Sequence, residues 1–219
     1  FDRIEYNFLL KYYNQLPEFI KLPYGDFKDI KLPPFDLKKT TEKPVIIVGN
    51  NRSSYNNHFD IIELIENSSN KEKYNFSFLI NYGTINSYST KLYKILKDRK
   101  YYSGLTNFFP FNEFVTLYQK STALVINGYR QMAVGNIFLG IQNGLKIYLN
   151  KKGVVYHWLI EEGFKIYSLE DFKNDIDNNK VFLSYSIAEY NLRQLKKITV
   201  NYTLSDFQKD LYNKITERK

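Results

Sequence analysis

Arg130 is the residue in this sequence best suited to chemistry. It stands in the run Asn127-Gly128-Tyr129-Arg130-Gln131-Met132-Ala133-Val134-Gly135-Asn136. An arginine is a permanent cation with five N–H donors, matched to phosphate oxygens. Gly135-Asn136 follows and opens a helix pattern. The free backbone N–H groups and dipole of a helix start form a ready anion site. A strand, an arginine-bearing loop and a glycine-led helix start are together what a diphosphate needs. The same segment also fits a solvated arginine beside a helix that only packs. A second polar loop, Gly49-Asn50-Asn51-Arg52-Ser53-Ser54, follows an apolar run. Gly49 permits close backbone approach there, and the polar side chains offer donors. An ordinary polar turn between strand and helix reads the same way.

Other chemistries are excluded or disfavoured. The chain has no cysteine, so thiolate nucleophiles, thiolate metal sites and disulfides are all out. The only two histidines, His58 and His157, lie far apart, which argues against a histidine-rich metal site. Neither a G-x-G-x-x-G nor a G-K-[ST] motif is present, which disfavours dinucleotide and P-loop binding. His157-Trp158 with Glu161 and Glu162 reads as an ordinary helix face, because nothing else converges on it. The 20 tyrosines and 17 phenylalanines read mostly as core and surface bias, not as a stacking platform. Lys94–Lys100 reads as a solvated helix end.

The elements that must carry these loops follow from periodicity. Val45–Val48, Phe76–Ile80, Tyr101–Thr106, Ala123–Ile126, Lys146–Leu149 and Ile166–Tyr167 read as strands. They are short, unalternating apolar runs, as expected when both faces of a sheet are covered. Between them, His58–Ile65, Ser89–Leu96, Phe111–Lys120, Asn136–Gln142 and Tyr156–Glu162 show helical spacing. Asn143-Gly144 sits where a helix C-cap belongs. The tail, about 186–197 and 204–217, is helical and charged. Regular alternation of strand and helix predicts an α/β fold, a doubly wound parallel sheet with a helical C-terminal tail. In such a sheet ligands bind at the carboxyl ends of the strands, where both polar loops fall.

Residues 1–43 differ in texture. A helix is expected over Phe1–Leu16, and five of the six prolines precede residue 45. This stretch reads as the end of a preceding domain plus a linker, with the compact unit at 44–219. Phe1 opens in mid-pattern, so a fragment of a longer protein is expected. The 219 residues carry 31 Lys plus Arg against 23 Asp plus Glu, a net charge of +8. Abundant Lys, Asn, Ile and Tyr fit an AT-rich genome, which accounts for part of that charge. No apolar run approaches the roughly 20 residues of a bilayer span, and no signal peptide is visible.

The loops resemble one family in particular. A strand running into Val48-Gly49-Asn50 and a polar loop ending Asn56-Asn57-His58 match one family motif. Arg130-Gln131, Gly135, Gln142-Asn143-Gly144 and Asn150 match a second. Over about residues 45–170 the chain resembles the N-acetylfucosamine (4-acetamido-4,6-dideoxygalactose) transferases of enterobacterial common antigen synthesis. These are GT-B glycosyltransferases, loosely called 4-alpha-L-fucosyltransferases. The resemblance implies a Rossmann-like GT-B C-terminal domain that binds a nucleotide-diphospho-sugar, with dTDP as the nucleotide. It implies a lipid-linked or polysaccharide acceptor, peripheral membrane contact at the cytoplasmic face, no nucleic acid, and no cofactor or metal. Gly49, Asn50, Asn51, Arg130, Gln131, Gly135 and Asn136 are then the donor diphosphate and sugar residues. Tyr82, Gly83 and Phe109 line the nucleotide. The catalytic base is expected from the preceding half. Many retaining GT-B enzymes carry two glutamates here, but aligning on Gly144 puts Gln131 and Leu139 in their places. That favours the resembled family, which inverts. Met132 and Ala133 depart from its pattern. Two other readings stand beside this one: a different activated donor such as a UDP-sugar, and a basic non-catalytic module binding anionic lipid or nucleic acid through charge.

Overall fold

The computed structural model describes residues 3–20, 31–33, 43–200 and 204–216. Helix α1 (Arg3–Leu9) precedes strand β1 (Val45–Val48), helix α2 (His58–Glu66), β2 (Asn75–Leu79) and α3 (Ser87–Lys97). Then come β3 (Tyr102–Leu105), α4 (Phe111–Lys120), β4 (Ser121–Ile126), α5 (Val134–Gln142) and β5 (Lys146–Leu149). The chain continues with α6 (Val154–Glu161), β6 (Tyr167–Ser168), α7 (Leu169–Asp177), α8 (Tyr185–Val200) and α9 (Leu204–Thr216). All strand pairs are parallel, in the order β3-β2-β1-β4-β5-β6. This is the expected doubly wound α/β sheet. Its winding reverses between β1 and β4, and the crevice at that reversal is where such sheets bind ligands.

Alternation along each strand feeds two cores. Ile46 and Val48 of β1, Phe76 and Phe78 of β2, and Ala123 and Val125 of β4 face α2, α3 and α7. Ile47, Leu79, Leu124, Ile126, Ile147 and Leu149 face α4, α5, α6 and α8. Both faces are apolar, so the strands read as continuous hydrophobic runs.

Several boundaries differ from the sequence expectation. Helix α1 ends at Leu9, and Phe1, Asp2 and most of the linker expected before residue 43 lie outside the described residues. Strand β4 begins at Ser121, because the Thr122 hydroxyl donates to the Val45 carbonyl (3.1 Å) and the Ser121 hydroxyl to that of Leu117 (2.7 Å). Helix α5 starts at Val134, which makes Gly135 and Asn136 its second and third residues. Helix α7 is unanticipated. It buries only Phe172 and Ile176, one turn apart, too little for a periodic signal. Its start is nonetheless written in the sequence as a capping box, Ser168 with Asp171.

A buried ion pair holds α7 to the sheet. Lys146 Nζ lies 2.6 Å from Asp175 Oδ2, with side chains only 9% and 14% exposed. The Tyr148 hydroxyl donates to the same oxygen (2.7 Å), and Lys146 donates to the Lys180 carbonyl (3.0 Å). Removing one partner strands the other as an unpaired buried charge. We expect Lys146→Met or Asp175→Leu to cost about 3–5 kcal/mol in urea denaturation, with the double variant recovering most of it.

His58, fully buried at the start of α2, ties that helix to α3. Its backbone N–H donates to the Tyr88 hydroxyl (2.9 Å), which lies 3.1 Å from Nδ1. Burial lowers the imidazole pKa from 6.5 to about 4. The unfolded chain thus binds a proton that the folded one refuses, so stability is complete above pH 6.5 and falls as pH drops towards 4. The loss reaches about 3 kcal/mol at most. His58→Gln should be weaker at pH 7.5 yet flatter across this window in urea titrations; an unchanged slope would assign the dependence to other groups.

Candidate functional site

The loop after β1 is built around a glycine. Gly49 adopts φ +72, and a Cβ on it would stand 2.6 Å from His58 Nε2. Only glycine lets the strand end turn over the buried imidazole. The next three residues are held by side-chain amides. Asn50 N–H donates to Asn56 Oδ1 (3.1 Å), and Asn56 Nδ2 donates to the Asn51 carbonyl (3.1 Å) and to Asn51 Oδ1 (3.0 Å). Asn51 Oδ1 also accepts from Ser53 N–H at 2.8 Å. Asn51 is therefore folded back onto its own loop, whereas Asn50, itself buried, lines the neighbouring cleft. Asn50 Nδ2 donates to the Tyr82 hydroxyl (3.1 Å), and its buried Oδ1 has no partner.

The loop after β4 is stitched to its neighbours on both sides. Asn57 Nδ2 donates to the Asn127 carbonyl (2.8 Å), Asn127 Nδ2 to Asp60 Oδ2 (3.1 Å), and Asn150 Nδ2 to Asn127 Oδ1 (2.6 Å). A Cβ on Gly153 would stand 2.2 Å from the Gly128 carbonyl oxygen, so the loops after β4 and β5 touch through backbone. Val154 N–H donates to the Tyr129 carbonyl at 3.1 Å. Beyond this anchor Arg130 is exposed, its guanidinium carbon 3.9 Å from the centre of the Tyr55 ring. Gln131 is half-buried beside it. Ala133 takes φ 58 at the N-cap of α5 and makes no side-chain cap. The first-turn N–H groups, including those of Gly135 and Asn136, have no partners within the helix.

A cleft of about 260 Å³ opens between these loops, lined by Asn50, Asn81, Tyr82, Phe108, Phe109, Phe111, Phe114 and Asn136. The structure thus brings four of the expected residues together: Asn50, Tyr82, Phe109 and Asn136. Asn136 donates to the Tyr118 hydroxyl (2.8 Å), whose ionisation burial pushes well above the usual phenol range. Gly49 and Asn51 act behind the cleft wall. Gly83, at φ +102, packs against Arg52, and Arg130 stands on Tyr55. Among the described residues no charged side chain lines the cleft. Phe108 and Phe111 are 83% and 77% exposed, free for a ligand to cover. Sequence reasoning missed Asn81, Phe108 and Phe111 as lining residues and took Phe114 only as core. The signal was the dense run Phe108-Phe109-Pro110-Phe111, where proline ends one segment and starts the helix.

No protein-family profile and no curated protein sequence matches the chain. Solved structures with the same fold do exist. The C-terminal domain of the glycosyl transferase group 1 family protein LpcC from Francisella tularensis superposes at TM-score 0.61 with 12% identity. That match covers 79% of this chain and 97% of the other. WaaG, a glycosyltransferase involved in lipopolysaccharide biosynthesis, gives 0.58 and 12%, covering 91% of this chain and 57% of WaaG. The GtfA/B complex gives 0.55 and 11%, covering 88% of this chain and 39% of that one. The chain therefore spans roughly half the length, or less, of the two longer proteins it matches. At these identities the likeness is one of fold, and the fold is that of a GT-B C-terminal domain.

Proposed function

We propose that this chain is the donor-binding half of a glycosyltransferase. Residues 44–219 would form the nucleotide-sugar domain, and residues 1–43 the end of an acceptor domain plus linker. One observation carries the reading: an uncharged, phenylalanine-lined cleft shares a wall, Asn136, with the first turn of α5 at the reversal of the sheet. A nucleobase is a flat, neutral group that stacks on aromatic rings. Its diphosphate needs cations and free N–H groups, which Arg130 and the start of α5 offer. The cleft's 260 Å³ suits a base and part of its ribose, leaving the diphosphate towards Arg130. The fold shared with LpcC and WaaG supports the same assignment.

In the transfer the acceptor hydroxyl attacks the anomeric carbon, and the nucleoside diphosphate leaves with the bonding pair. Negative charge grows on the departing diphosphate. Donors aimed at that charge lower the barrier most. Arg130 and the first-turn N–H groups of α5, at Gly135 and Asn136, take this role, with Gln131 beside them. Gly49, Asn50 and Asn51 shape the side facing the sugar. The proton of the acceptor hydroxyl goes to a base on the acceptor half. Gln131 and Leu139 supply no carboxylate, which fits inversion. The finer reading follows the resemblance: a dTDP-linked acetamido-dideoxyhexose and a lipid-linked or polysaccharide acceptor in envelope glycan synthesis, at the inner membrane face. No described helix is long and apolar enough to cross a membrane. Exposed Leu10, Tyr12, Tyr13, Tyr212 and Ile215, with the net charge of +8, support peripheral contact instead.

Calorimetry with deoxythymidine diphosphate should give saturable binding. Arg130→Ala should weaken it about tenfold through loss of a charged phosphate contact. Phe109→Ala should weaken it by a similar factor through loss of stacking. Uridine and guanosine diphosphates run in parallel rank the base. Absence of binding at millimolar nucleotide sinks the proposal. Binding that ignores the base and collapses with salt would instead favour a basic anion-binding module.

A further inference from the structure

A second cavity, of about 390 Å³, lies on the other face of the same carboxyl edge. Ile80 and Leu92 of α3 belong to the core on its side, whereas Tyr118 of α4 and Ile137 of α5 belong to the core under the aromatic cleft. The walls of this second cavity are largely Ile80, Ile85, Tyr93 and Thr106, with Arg52 among them. The hydroxyls of Ser89 and Thr90, also at its edge, are committed to the Asn86 backbone. Among the described residues Arg52 is thus the one charged group that lines the space.

Arg52 is fixed in three ways. Its backbone N–H donates to the Tyr82 carbonyl (3.0 Å), and its Nε–H donates to the Ile80 carbonyl (2.9 Å). Its stem lies against Gly83, where a Cβ would stand 3.2 Å from Arg52 Cγ. These contacts hold the guanidinium plane and leave both Nη groups without a hydrogen-bond partner among the described residues. No carboxylate of the described residues pairs with it either. A guanidinium immobilised but left without a counter-ion is preorganised for an oxyanion, because its paired N–H groups match two oxygens at once. Ile80, Ile85 and Tyr93 give the cavity its apolar wall, and Ile85 and Tyr93 stand 74% and 38% exposed.

We propose that this cavity binds a phosphate monoester carried on a compact apolar or aromatic body, gripped by Arg52, at a site separate from the aromatic cleft. The proposal does not rest on the donor reading. Phenyl phosphate is the probe, titrated by calorimetry into the full chain, with phenol as the neutral control. Arg52→Ala should weaken phenyl phosphate about tenfold, and Arg52→Lys several-fold, since an ammonium cannot make the paired contact. Arg52 also supports its loop, so Ile85→Glu provides the independent arm. The exposed position leaves the melting temperature unchanged, while the new carboxylate repels the ligand about tenfold. Deoxythymidine diphosphate should bind Ile85→Glu as it binds the wild type. No binding of phenyl phosphate at about 20 mM, a limit far weaker than ordinary ligand affinity, overturns the proposal. So does binding insensitive to both Arg52→Ala and Ile85→Glu, or phenol binding as well as phenyl phosphate. Equal weakening of both ligands by Ile85→Glu overturns a separate site. Failure of the nucleotide to bind the wild type counts against the donor reading alone.

Discussion

Where the winding of the sheet reverses, between β1 and β4, the loops at the carboxyl edge satisfy one another's polar groups. Asparagine does this work. Its amide offers donors and an acceptor on one short side chain. Asn56 closes the loop after β1 on itself, and Asn57, at φ 45, reaches the Asn127 carbonyl. Asn127 and Asn150 then carry the connection across the ends of β4 and β5. These bonds are buried or partly buried, so leaving one unmade carries up to the desolvation cost of the orphaned group, typically about 1–3 kcal/mol. The positions of Asn50, Arg130 and the start of α5 are consequences of this network.

The network also explains how charge and aromatic surface come to be separated. Loops tied to one another by neutral amides need no ion pairs, so the arginines they carry are spared. Arg130 rests on the Tyr55 ring and Arg52 on a backbone carbonyl, neither one neutralised by a carboxylate. Between them the cleft is bounded by phenylalanines, a tyrosine and amides. A ligand with a flat neutral end and an anionic end meets complementary surface at each.

The frame was legible in the sequence because it rests on long-lived local signals. Val45–Val48 and Lys146–Leu149 fall where their buried apolar runs put them, and Phe111–Lys120 where its helical spacing does. Helix α7 was hidden, for it buries two residues and otherwise consists of charges and amides. The site was legible in part for a similar reason. The residues after β1 and β4 are identifiable from topology alone, but which of two adjacent asparagines lines the cleft is not. Asn51 folds back to accept from Ser53 and Asn56, and Asn50 points towards Tyr82. The contribution of Phe108 and Phe111 depends on contacts between loops far apart in sequence, which no local pattern records.

The two edges of the sheet divide stability from binding. At the amino edge ionic groups are paired. Glu66 accepts from the Tyr101 and Tyr102 hydroxyls and lies near Lys71 and Arg99, which together hold its carboxyl below the usual range despite burial. Lys146 and Asp175 neutralise each other under α7. At the carboxyl edge Lys151 pairs with Glu170, but the guanidinium ends of Arg52 and Arg130 meet no carboxylate among the described residues, and Asn50 Oδ1 is buried without a partner there. A buried group left unsatisfied costs folding free energy. The net charge of +8 therefore matters less as a total than by position. Arg52 lines a cavity at that edge and Arg130 rests on the Tyr55 ring, and neither meets a carboxylate of the described residues.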